Sequence, residues 1–190
     1  FVAYTALFYG LFQLALAFEQ LALREVGVSL TGLGLLYAGF KLVSAGAAST
    51  AGWVQDRLGA RGVFGLYAPV VGVAFAAVAV WPLLLVPVLF LNRGLNALTS
   101  PVRNQYLNDR FSGMGRATVL SGASIVLSLF AAGADLLGGV VAEAIGPVQL
   151  LVGAGLTAAG VAGVLWLAVT PVRSLAAADP EEVAAVDSAE

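Results

Sequence analysis

Neither cysteine nor histidine occurs in this 190-residue chain. Without thiols there is no disulfide framework and no thiolate metal site. Without imidazole, the commonest metal ligand and the usual acid–base group near neutral pH are both missing. Charge is nearly as scarce, with nine Lys+Arg and eleven Asp+Glu making up 11% of residues against 60% hydrophobic. A soluble domain of this length needs more charged surface than these side chains can cover. No nucleophile–base constellation stands in the pattern, so neither an enzyme nor a cofactor is expected. A nucleic-acid partner is not expected either.

What is present is long apolar sequence. Residues 63–81 and 148–170 carry no charged side chain, and a run of roughly 18 apolar residues is the mark of a transmembrane helix. Runs bounded by charge and turn residues place six spans at about 1–23, 31–53, 62–80, 83–103, 116–142 and 147–170. An all-α integral membrane protein follows, with a bundle over residues 1–173 and lipid as its first partner. The start at Phe1, inside an apolar run and without Met, reads as a fragment. Abundant Ala, Val and Gly with a single Lys suggest a prokaryote. Residues 174–190 form an acidic, alanine-rich tail that cannot bury enough apolar surface to fold alone.

Arginine placement orients the chain. The second and fourth connections and the tail hold Arg57, Arg61, Arg103, Arg110, Arg116 and Arg173, whereas the opposite side has only Arg24. The positive-inside rule then puts both chain ends in the cytoplasm of a cell membrane.

Residues 45–59 (AGAASTAGWVQDRLG) align without gaps with residues 132–146 (AGADLLGGVVAEAIG). The match pairs Gly52 with Gly139, Asp56 with Glu143 and Gly59 with Gly146. Each segment closes the second helix of a three-helix set, on opposite sides of the membrane. That arrangement is an inverted 3+3 repeat, as transporters use.

The second connection carries Gly52, Asp56, Arg57, Gly59 and Arg61 in ordered spacing. Gly52 permits close helix approach, Gly59 permits a turn at positive φ, and Asp56 can cap a helix N-terminus. The stretch resembles the G-x-L-x-D-R-x-G-R-[KR] loop of the major facilitator superfamily, with Val54 for the Leu and Ala60 for a basic residue. The resemblance implies one half of a twelve-helix secondary transporter. The position of the motif fits either half, and the acidic tail with a start inside a helix and without Met favours the C-terminal half, helices 7–12, whose missing partner is the N-terminal half. In span 5, Ala134 to Gly139 keeps only the two glycines of the superfamily's antiporter motif, so antiport is not inferred.

Three charges fall inside spans: Lys41, Arg93 and Asp135. Each costs about 2.5–3.5 kcal/mol at the bilayer centre on insertion scales, so each is a functional candidate. The resemblance implies that spans 1, 2, 4 and 5 line the path, and all three charges lie there. Gln13, Asn92 and Asn96 add polar groups on the same spans. Asp135 reads either as a substrate or proton site or as the partner of Lys41 or Arg93. Two cations against one anion favour an anionic or zwitterionic substrate, with a coupling proton or ion. Glu19 and Gln20, near Arg24 and Glu25, read as a solvated helix end. The alternative function is a six-helix scaffold that does not transport, with its charges paired for assembly.

Overall fold

The structure is a computed structural model that describes residues 1–110, 116–169 and 172. Apart from short connections, the described chain is helical. Helix α1 runs Val2–Glu25, α2 Leu30–Val80, α3 Leu85–Arg110, α4 Arg116–Ile145 and α5 Pro147–Val169, with a short 3-10 turn at Pro82–Leu84 before α3. All five long helices are apolar enough to cross a membrane. The acidic tail lies outside the described residues.

Local chemistry explains the boundaries. The Ser29 hydroxyl caps α2 by accepting from the Gly32 amide at 3.0 Å. Pro147 opens α5 at the first helical position, where its missing N–H is not needed. Between α4 and α5 the connection is Gly146 alone, at φ 93°. The Glu25 carboxylate accepts from the Val148 amide at 3.3 Å, placing an anion at the N-terminus of α5.

At about 1.5 Å per residue, the 51 residues of α2 would reach roughly 75 Å, more than twice a hydrocarbon core of about 30 Å. Gly59 interrupts it with φ 63° and ψ 168°, a conformation only glycine adopts readily. The two arms, 30–58 and 60–80, occupy the second and third expected spans. Gly59 and Gly146, paired in the sequence repeat, therefore both sit at positive φ.

One boundary differs from expectation. Span 4 was placed to end at residue 103, but α3 continues to Arg110. Tyr106 and Leu107 remain buried along this extension, so packing carries the helix beyond the end of its apolar run.

Small residues let the helices approach closely. Gly10 of α1 faces Phe130 of α4, and Gly138 of α4 faces Leu14 and Phe18 of α1. Gly39 and Gly94 perform the same service between α2 and α3, while Gly155 of α5 lies against the Phe75 ring. At one end of the bundle the Tyr4 hydroxyl donates to the Phe64 carbonyl at 2.5 Å, and the Phe1 ring lies 4.2 Å from that of Tyr106. The opposite end holds the Glu25–Val148 contact. Large apolar side chains also cover the outside: Leu42, Leu136 and Leu167 are 75%, 76% and 92% exposed. Such a surface is costly in water and at home in lipid or against another helix bundle.

Candidate functional site

The site builds up from one face of α3. Asn92, Arg93, Asn96, Thr99, Ser100 and Arg103 recur at spacings of three and four residues, so they form a polar stripe along the helix. From Asn92 to Arg103 the stripe covers about 16 Å of helix. Across from it stand Phe12 and Glu19 of α1 and Tyr37 and Phe40 of α2.

Arg93 is the centre of this cluster. Its Nη2 donates to Glu19 Oε1 at 2.5 Å in a salt bridge between α3 and α1. Glu19 is only 2% exposed and the Arg93 side chain 13%. The guanidinium carbon lies 5.1 Å from the Phe40 ring centre and 5.6 Å from that of Phe12. Aromatic faces of this kind stabilise a cation by their quadrupoles. The Tyr37 phenol stands beside the Glu19 carboxylate. One ion pair and two aromatic rings therefore tie α1, α2 and α3 together.

The expected partnerships are redrawn. Glu19, taken from sequence as a solvated helix end, is buried and neutralises Arg93. α1 extends to Glu25, so Glu19 lies about 9 Å inside the helix end, on the same row as the buried Leu11, Ala15 and Leu23. That row was the available signal, because a carboxylate continuing an apolar i, i+4 series faces the bundle. Asp135 pairs with neither Lys41 nor Arg93 among the described residues; its Oδ1 is buried without a hydrogen-bond partner. Lys41 is exposed on α2. Gln13 is half-buried, and Asn92 is buried with its Oδ1 also lacking a partner.

Asn96 belongs to a second group nearer the Gly59 end, with Thr5, Tyr9, Tyr67, Thr99 and Arg103 around a narrow hollow. Arg103 lies 5.8 Å from the Tyr9 ring centre. Beyond it, a crevice of 260 Å³ opens between α3 and α4.

The loop motif is arranged more loosely. Gly52, Asp56, Arg57, Gly59 and Arg61 are all exposed. No hydrogen bond from a helix N-terminus reaches Asp56 among the described residues. Arg57 instead lies over the Trp53 ring at 5.0 Å, and Trp53 is exposed as an interfacial anchor would be. No cluster of three or more metal-ligating side chains occurs among the described residues. Compared with family models, curated proteins and solved structures, the chain matches none.

Proposed function

We propose that this bundle is one half of a secondary active transporter, moving a small solute by alternating access. Six span-length segments, counting the two arms of α2, form an inverted 3+3 repeat in this reading. The chain then corresponds to the C-terminal half of a transporter of the major facilitator type, with both ends in the cytoplasm. The polar stripe of α3 is the observation that carries the proposal. Polar and charged groups within apolar helices are costly, and they mark solute and ion paths. Only 17% of the apolar window of α4 is buried, which leaves a face for a second six-helix bundle. The positive-φ glycines at matched repeat positions support the inverted symmetry. Asp135, with its unpartnered buried oxygen, is assigned to the coupling proton or ion.

The test is flux. The full chain encoded by the gene, reconstituted in liposomes, should accumulate at least one member of a panel of small solutes under an imposed proton or sodium gradient. Neutralising Asp135 or Lys41 should slow that flux or uncouple it. Absence of gradient-driven flux across the panel would refute the proposal. A six-helix scaffold is the competing reading, favoured by the Arg93–Glu19 pair, which satisfies its charges internally. Flux that needs these residues eliminates it.

A further inference from the structure

Two arginines on α3, Arg93 and Arg103, have opposite electrostatic surroundings. Arg93 has its counter-charge in Glu19. Arg103 reaches only neutral oxygens among the described residues: Nη2 donates to Ser100 Oγ at 3.3 Å and to Asn104 Oδ1 at 3.5 Å, and Nε donates to Asn104 Oδ1 at 3.4 Å. These bonds are long for a guanidinium, whose charge-assisted bonds to carboxylates run about 2.7–2.9 Å. The side chain is only half-exposed, wedged between the Tyr9 ring and the α3–α4 crevice. A partly desolvated cation with no counter-ion among the described residues lacks what makes such burial tolerable. The crevice beside it is lined by Asn104, Asn108 and Ser124 above an apolar floor of Leu107 and Leu127.

We propose that the crevice between α3 and α4 binds a small organic anion, with its carboxylate or phosphate held by Arg103. A planar guanidinium presents a fork that grips either group through two parallel bonds. Drug-sized ligands occupy pockets of about 300–1,000 Å³, so 260 Å³ sets the scale at a compact acid. This assignment deepens the transport reading by giving its solute a charge, and it moves the recognition element from Arg93, which is already neutralised, to Arg103.

Binding can be measured without flux, so the two claims fail separately. The full chain in nanodiscs of phosphatidylcholine, which carries no net charge, is titrated with lactate, succinate and inorganic phosphate. Sodium chloride at equal ionic strength is the control, and the thermal unfolding midpoint is followed. At least one probe should raise the midpoint saturably. Arg103→Gln should weaken half-saturation at least tenfold, and Arg103→Lys should restore part of the loss. Ser124→Leu, which fills the crevice while leaving the guanidinium intact, should also weaken binding. The ligand-free midpoint of each variant reports its folding.

A saturable shift that survives Arg103→Gln overturns the proposal, as does no shift with any probe. A shift that appears only when phosphatidylglycerol is added to the nanodisc also overturns it, because the anion is then a lipid headgroup. Driven flux of a neutral solute without anion binding would sink this site and leave the transporter standing. Arg103-dependent binding without flux would do the reverse.

Discussion

Removing one member of the Glu19–Arg93 pair should cost far more than removing both. Two unit charges about 4 Å apart attract by about 4 kcal/mol at an effective dielectric of 20. Truncating one partner of a buried pair typically costs about 3–5 kcal/mol, because the survivor keeps its desolvation penalty and loses its counter-charge. With Glu19 only 2% exposed and Arg93 enclosed by Phe12 and Phe40, water cannot readily replace the lost partner. Glu19→Leu and Arg93→Met are therefore each expected to destabilise the bundle by about 3–5 kcal/mol. The double variant, Glu19→Leu with Arg93→Met, should return to within about 1 kcal/mol of the parent or exceed it, as replaced buried ion pairs often do.

Reversible unfolding in mixed micelles, run as a double-mutant cycle, measures the coupling energy directly. If the two single losses add to within about 0.5 kcal/mol, the side chains do not act as a pair and the geometry has been misread. Flux through the double variant then separates two roles. A bundle that is stable without its pair and no longer transports used the pair for function. A bundle that is stable and transports normally used it only to hold α1 against α3.

Other expectations test the surrounding structure. Gly59→Val forces a branched side chain into φ 63° and should cost about 1–3 kcal/mol by the same unfolding assay, whereas Gly52→Ala, whose added methyl meets open space, should be nearly neutral. Gly155→Ala drives a methyl into the Phe75 ring and should cost about 1–3 kcal/mol; Phe75→Leu should recover part of that, and Gly153→Ala should cost little. The absence of native cysteine makes topology directly testable. Asp56→Cys and Glu143→Cys, at exposed and repeat-matched positions, should label from opposite sides of intact cells with an impermeant maleimide. Labelling from the same side would refute the inverted repeat.

The helical skeleton was legible in the sequence because it is written in hydrophobic length and punctuation. Apolar runs located the helices to within a few residues, and Gly59, Trp81-Pro82 and Gly146 marked three of the turns. The reading was less sure where packing outlasts hydrophobicity, as at residues 104–110, which stay helical on buried Tyr106 and Leu107. It failed at Glu19, because closeness to Arg24 and Glu25 in sequence suggested an interface while the helix itself carries that carboxylate inward. Arg93 was legible as a functional candidate from its depth alone, but its partner lies 74 positions away, and pairing across helices leaves no trace in a single sequence.

Arg103 shows the same limit from the other side. Counting arginines by loop assigned it to the cytoplasmic face, and that count is blind to whether a carboxylate stands beside it. Side of the membrane and state of pairing are separate properties of a cation, set by insertion and by tertiary packing. On α3 they divide: Arg93 is neutralised by Glu19, and Arg103 meets only neutral oxygens among the described residues. A search for a solute site guided by depth would begin at Arg93, whereas one guided by unbalanced charge begins at Arg103.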